Sequence, residues 1–413
     1  MTRGFSLLMS AAVAMAWLSG CTPKTDTGSI PVKLVYRDTP AEERTITADA
    51  DEMFNFKIPV GYIPRGGVID FNATVSGTPS CSKYYVVECK AGDTWYKGDI
   101  FMCSGASGSN AHPSTVMHTF RMPEAVKGEL DIRFRPTGKE KADTAAAESA
   151  TAKMVMAKYG SVGEYVQYFG TAEPQDTLNV LCVGNSFTYV DGACMMLKEI
   201  AWNEGHLLRM KATLKGGRSF EDHLELPVSR NVVNAGHYDW AFLQDQSQSP
   251  AWYAADTTGY GYVNMNFLKL TDRLLSRSRK CHVVLESTWA WKKNDFGGFG
   301  SYEVFDSLMT AGTAKMAKNA SAIFGDNDFS VSPIGEAFRM VRDGDSGIEL
   351  YDTDEKHQSE YGAYLKACVN YLVIFGEPFK SVPAEGATSS VDCGLPHDKA
   401  GYLRQVAEKV VLR

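Results

Sequence analysis

Leu178-Asn179-Val180-Leu181-Cys182-Val183-Gly184-Asn185-Ser186-Phe187-Thr188 is the stretch on which the fold turns. Leu178 to Val183 is a short apolar run of strand length. Gly184 permits a tight exit, and Ser186 falls at the strand end, just ahead of a segment with helical spacing, Ala193 to Asn203. Gly205 follows as a C′ residue. A serine in that position can turn Oγ into a cleft, with its own N–H pointing the same way. Serine after glycine is also common in plain turns, so the stretch gains meaning only from what surrounds it.

Downstream, strand and helix signals alternate. Tyr238 to Leu243 reads as a strand and Tyr262 to Arg279 as an amphipathic helix with Phe267, Leu268, Leu270, Leu274 and Leu275 on its apolar side. Cys281 to Glu286 is a strand, and Glu303 to Lys318 a helix. Tyr361 to Phe375 is a helix ended by Gly376-Glu377-Pro378, and Tyr402 to Val411 closes the chain as another. Such alternation predicts an α/β fold with a parallel sheet covered on both faces. Sites in such sheets lie at the carboxyl ends of the strands.

Upstream of about residue 172 the texture differs. Val32 to Tyr36, Ile69 to Val75, Tyr84 to Cys89, Met117 to Met122 and Leu130 to Phe134 are short alternating runs, separated by turn-forming residues. Lys153 to Lys158 and Tyr165 to Phe169 suggest a closing hairpin, and Lys139 to Ala152 a polar excursion. Many strands with little helix predict a β-sandwich over 30–172, ahead of the α/β domain at 175–413.

The first residues belong to neither unit. Arg3, an apolar stretch from Phe5 to Leu18 and the run Leu18-Ser19-Gly20-Cys21 follow the secretory-signal pattern. With cysteine at the cleavage point the segment resembles a bacterial lipobox. The resemblance implies a signal peptide at 1–20, lipidation of Cys21, a tether at 21–29, and a cell-envelope lipoprotein at the outer membrane, held by its lipid anchor only. Internal runs fall short of the ~18 apolar residues of a spanning helix. The 413 residues are 44% hydrophobic and 22% charged with net charge -7. That is ordinary globular composition without a basic stripe, which argues against nucleic acid as a partner.

Eight cysteines besides Cys21 invite a disulfide reading in an exported chain. Cys182, Cys281 and Cys368 sit in apolar runs and read as small buried hydrophobes. One bridge among Cys81, Cys89 and Cys103 stays open.

A candidate base lies far from Ser186. In Asp354-Glu355-Lys356-His357 an aspartate three residues ahead of a histidine can turn back to its Nδ1–H. That fixes the tautomer and frees Nε2 as a general base. Asp352 is the other carboxylate in reach.

Four blocks then line up: Gly184-Asn185-Ser186, Gly216-Gly217, Gln244-Asp245-Gln246-Ser247 and the late Asp-x-x-His. In this order they resemble the SGNH hydrolase superfamily, the GDSL-type esterases, across roughly Asp176 to Arg413, and among them an uncharacterised lipoprotein-rich branch. The resemblance implies a flavodoxin-like three-layer α/β/α domain. It implies Ser186 as nucleophile, His357 as base and Asp354 as its orienter. The oxyanion donors would be the N–H of Ser186, the N–H of Gly217 (or Gly216) and the side-chain amide of Gln246. Two positions depart from the usual pattern. Asn185 stands where the superfamily has Asp, and Gln246 where it has Asn, one methylene longer; Gln244 or Gln248 are the fallback donors.

Trp252, Tyr253, Trp289 and Trp291 follow the third and fourth strands and can stack on sugar rings or pack the loops. Gly297-Gly298-Phe299-Gly300 lacks the ending of a phosphate loop, and Asp343 to Gly347 has glycine misplaced for a calcium loop. His206, His223, His237 and His282 read as surface or satisfied side chains. The sequence therefore asks for no metal and no cofactor. Three functions compete: an esterase removing acyl groups, above all O-acetyl, from carbohydrate; a lipase- or thioesterase-like hydrolase; and a non-catalytic glycan-binding lipoprotein.

Overall fold

The computed structural model describes residues 42–63, 65, 68–77, 82–104, 114–137, 149–160, 177–204, 206–293, 295–325, 327–344, 346–380 and 390–413. The leader, Cys21, Val32 to Tyr36, Cys81 and Tyr165 to Phe169 lie outside them.

The first eight strands are β1 (Glu42–Thr47), β2 (Phe54–Ile63), β3 (Val68–Gly77), β4 (Ser82–Ala91), β5 (Thr94–Ser104), β6 (Ser114–Arg121), β7 (Val126–Pro136) and β8 (Ser149–Gly160). They form two antiparallel sheets of four strands, in the orders β1-β8-β3-β6 and β2-β7-β4-β5. One apolar core draws on both, with Ile46, Phe71 and Phe120 from the first sheet and Phe54, Tyr85, Phe101 and Phe134 from the second. Leu130, Ile132 and Phe134 point into it while Asp131 and Arg133 are partly exposed, the period of two seen in the sequence. Residues 149–152 belong to β8 rather than to a polar excursion. Cys89 is buried as a free thiol, and burial pushes its pKa up to about 12.

From residue 177 the architecture changes to α/β. The strands are β9 (Thr177–Gly184), β10 (Leu207–Leu214), β11 (Trp240–Leu243), β12 (His282–Glu286) and β13 (Phe329–Ser332). They run parallel in the order β10-β9-β11-β12-β13, the flavodoxin-like order in which the first strand lies inside the second. The helices are α1 (Ser186–Tyr189), α2 (Ala193–Asn203), α3 (Phe220–Glu225), α4 (Pro227–Ala235), α5 (Ser249–Ala255), α6 (Gly261–Leu275), α7 (Tyr302–Ile323), α8 (Ile334–Asp343), α9 (Glu360–Phe375) and α10 (His397–Val411).

Strand β9 shows why the sheet needs helices on both sides. Val180 and Cys182 enter one core with α2, α9 and α10, while Leu181 and Val183 enter a second with α3, α4 and α6. All four are at most 2% exposed. A run apolar at every position has no face left for water, so it is a central parallel strand. Its neighbour β10 alternates: Leu208 and Met210 are buried, Arg209 and Lys211 are not. This polar edge strand is signalled in the sequence only by Gly216-Gly217 after it, and β13 is too short to show any period.

Helices α5 and α7 pack at very close range. A Cβ on Gly312 would lie 1.9 Å from the Pro250 carbonyl oxygen, so only glycine lets the two backbones approach. Gly312→Ala is expected to destabilise the fold by roughly 1–3 kcal/mol through overpacking. Chemical denaturation of the variant measures this, and an unchanged midpoint would contradict the packing.

Candidate active site

Strand β9 ends at Gly184, and Asn185 caps a single turn of helix that begins with Ser186. The Asn185 side chain does three things. Its Oδ1 accepts from Phe187 N at 3.1 Å, and its Nδ2 donates to the carbonyls of Arg218 (2.9 Å) and Asp245 (3.1 Å). The loops after β9, β10 and β11 are thereby tied at one point. An aspartate could accept from Phe187 but could donate to neither carbonyl. The departure at this position therefore has a local physical reason.

His357 arrives on the loop before α9. Its Nε2 lies 2.8 Å from Ser186 Oγ, and its Nδ1 2.5 Å from Asp354 Oδ2. Asp354 Oδ1 also accepts from the backbone N–H groups of Lys356 and His357. Burial opposes the Asp354 carboxylate, but these hydrogen bonds, led by the one from His357, outweigh it and hold its pKa below the usual range. An ionised Asp354 requires Nδ1 to carry the proton, which leaves Nε2 to accept from the serine hydroxyl. Asp352 is turned elsewhere, its Oδ1 accepting from Thr353 N.

Two neighbours hold this geometry that the sequence reading did not assign to it. Gln358, fully buried, donates Nε2 to the carbonyls of Ser186 (3.1 Å) and Val190 (2.9 Å). Trp289 stacks between Phe187 (4.8 Å) and Phe338 (4.1 Å) and donates Nε1 to Lys356 O at 3.0 Å. The ring thus braces the serine turn while its N–H fixes the histidine loop. Trp289 is 0% exposed and has no face for a sugar, which corrects the expectation that it stacks on substrate. Tyr253 is corrected likewise: it is buried, and its hydroxyl accepts from Asn319. Neither residue's role was legible without the fold, since an aromatic after a strand looks the same whether it faces inward or outward.

Trp291 is buried with the Lys356 ammonium 4.3 Å above its ring. It begins a continuous aromatic series through Phe305, Phe299, Trp252 and Tyr260 to Tyr262, each ring 4.3–6.1 Å from the next. Trp252, Phe299 and Tyr260 are half-buried and Tyr262 is exposed.

The candidate oxyanion donors lie on the loops after β9, β10 and β11. Lys215 to Arg218 form a tight turn in which Gly217 takes φ +69, the left-handed position of a type II turn. Among the described residues the backbone N–H of Ser186 and that of Gly217 have no acceptor. Of the three glutamines after β11, Gln244 is buried and spent: its Oε1 accepts from Asn185 N and Thr188 Oγ1. Gln248 donates to Gly297 O. Gln246 is half-buried, its amide meeting the main chain and side chain of Gln248. His223 is a satisfied core residue. It lies between Ser229 Oγ and Gly184 O, and burial lowers its pKa to about 4. Among the described residues no cluster of His, Cys, Asp and Glu fits a metal.

No protein-family model matches the chain, and no curated protein matches it in sequence. Solved structures do resemble it. A DUF4886 family protein from Bacteroides uniformis is 19% identical over 57% of this chain and 95% of its own, with a TM-score of 0.45. An acetylxylan esterase from Geobacillus stearothermophilus is 14% identical over 49% of this chain and 95% of its own, with a TM-score of 0.36. A putative GDSL-like lipase from Bacteroides ovatus is 10% identical over 78% of this chain and 83% of its own, with a TM-score of 0.32. The parallel sheet has the flavodoxin-like order, and Ser186 and His357 meet at its strand ends.

Asp245 offers a test of the site's construction by pH. Its Oδ1 accepts from Phe220 N and Gln246 N, both at 2.8 Å. Burial pushes its pKa up to about 7 against those two bonds. A folded pKa above the ordinary ~3.9 means the folded state holds this proton more tightly. The stability it contributes is full below the ordinary value and is lost as pH rises through about 7. Asp245→Asn keeps the acceptor and cannot ionise. Its melting temperature relative to the parent protein should therefore rise between pH 5 and pH 8, and a difference independent of pH would contradict the assignment.

Proposed function

We propose that the chain is a serine ester hydrolase of the SGNH type. The observation that carries the reading is the continuous relay from Ser186 Oγ through His357 Nε2 and Nδ1 to Asp354 Oδ2. Serine is a weak nucleophile until a base takes its proton. As Oγ attacks the ester carbonyl, its proton passes to Nε2, and Asp354 stabilises the resulting imidazolium. The carbonyl oxygen becomes an oxyanion, stabilised by the N–H groups of Ser186 and Gly217 and the Gln246 amide. Collapse of the adduct expels the alcohol, which takes the proton from Nε2. Water, giving its proton to His357 in turn, then releases the acid and regenerates Ser186.

The substrate reading is an O-acyl group, O-acetyl above all, on carbohydrate. The half-buried rings of Trp252, Phe299 and Tyr260 and the exposed ring of Tyr262 support it, since flat rings stack on sugar faces. Trp95 is covered on one face by the Arg133 guanidinium and adds little to it. We take the two N-terminal sheets as a β-sandwich domain beside the hydrolase. The lipobox-like segment ending at Cys21 supports anchoring to the cell envelope by acyl chains.

Ser186→Ala should lower kcat on p-nitrophenyl acetate by roughly 10⁴ or more with the fold intact. His357→Ala should cost about as much, and the double variant little further. Losses that multiply would mean that the two residues do not act as a unit.

Gln246→Ala should lower kcat by roughly 10²–10³ with a smaller effect on KM, as for loss of one oxyanion donor. Gln246→Asn should recover only part of this, its arm being one methylene shorter. Full activity in Gln246→Ala would take that amide out of the oxyanion site.

A further inference from the structure

Behind the serine turn lies a buried charged cluster that the proposed chemistry does not use. Glu286 ends β12, and Lys366 and Asn370 lie one turn apart on α9. Lys366 Nζ donates to Glu286 Oε2 (2.6 Å), to the carbonyl of Phe187 (2.9 Å) and to Thr188 Oγ1 (3.0 Å). Asn370 Nδ2 donates to Glu286 Oε1 (2.7 Å), and Ser332 Oγ donates to Asn370 Oδ1 (2.6 Å). Thr188 Oγ1 in turn donates to Gln244 Oε1, the same oxygen that receives Asn185 N. Both ionised side chains are 1% exposed.

A buried ion pair is poor evidence for stability, because removing two charges from water costs about what their attraction returns. Its placement is what matters. Three ammonium donors meet three acceptors, and two of those belong to the turn that carries Ser186. The same helix, α9, follows directly on His357 and Gln358, and Gln358 grips Ser186 O and Val190 O. The serine turn is therefore held at its two ends by Gln358, just ahead of α9, and in its middle by Lys366 on α9, and the base His357 is the residue before Gln358. A displacement of Phe187 O moves Oγ against an Nε2 fixed 2.8 Å away.

We propose that Lys366, neutralised by Glu286, is a positioning residue that sets the Ser186–His357 distance through the Phe187 carbonyl and the Thr188 hydroxyl. The assignment rests on the esterase reading above. It acts on the geometry of attack and not on substrate affinity, so its loss should appear in kcat and leave KM alone.

The test uses the full chain. Lys366→Met alone strands a buried carboxylate and is expected to unfold readily. The double variant Lys366→Met with Glu286→Gln removes both charges at nearly constant volume and should melt close to the parent protein. Its kcat on p-nitrophenyl acetate should nevertheless fall roughly 10–10²-fold, the cost of a small misplacement of reacting groups, with KM within twofold of the parent. The low-field proton resonance of the His357 Nδ1–H should shift or broaden in it. Should the double variant fail to fold, Thr188→Val, which deletes one hydroxyl, decides: kcat should fall with KM unchanged, and parental kcat overturns the proposal. A folded double variant with parental kcat overturns it as well. Should the parent protein show no Ser186-dependent hydrolysis, the esterase reading fails by itself, and the resonance decides the positioning role: an unmoved signal overturns it.

Discussion

The hydrogen bond from Ser186 to His357 joins residues 171 apart in the chain, and most of the α/β half serves to make it possible. A helix-covered parallel sheet delivers every loop that follows a strand to one edge, and there these two distant residues meet. The cost is burial of both strand faces, leaving little room for polar groups inside. Among those that are inside, Asn185, Gln244, His223, Glu286 and Lys366 hydrogen-bond to strand ends, to the serine turn or to one another. These five gather where the backbone must be held still.

The architecture of residues 177–413 was largely readable because apolar runs and helical periods are local signals. Helices α2 and α9 fall where the spacing put them, and α9 ends at Gly376 with φ +65, the left-handed position that glycine favours. The edge strand β10 and the short β13 were not readable, since one is half polar and the other holds only four residues. The nucleophile and base candidates were legible as motifs. Their supports were not: Gln358 looks like any residue after a histidine, and Lys366 like a solvated lysine on an amphipathic helix. Only the fold reveals that the lysine points inward.

The two departures from the usual block pattern carry different weight. At Asn185 the amide makes two bonds that a carboxylate cannot, so the change belongs to a rebuilt hydrogen-bond set that also includes the buried Asp245. At Gln246 the longer side chain folds against Gln248 in the free site. It must turn away from that neighbour to serve an oxyanion. Trp289 is the converse lesson. From sequence it could stack on sugar or pack the loops; in the fold it ties the serine turn to the histidine loop, a bracing role that no local pattern distinguishes from stacking on a ligand.

The central claim is that Ser186 becomes covalently acylated. Rapid quenching of the protein during turnover of p-nitrophenyl acetate, followed by mass spectrometry of its peptides, addresses this directly. One acetyl group per chain is expected on the peptide containing Ser186, absent from Ser186→Ala and accumulating when deacylation is slowed. Hydrolysis with no acetyl at Ser186, or with the label on another residue, would contradict it.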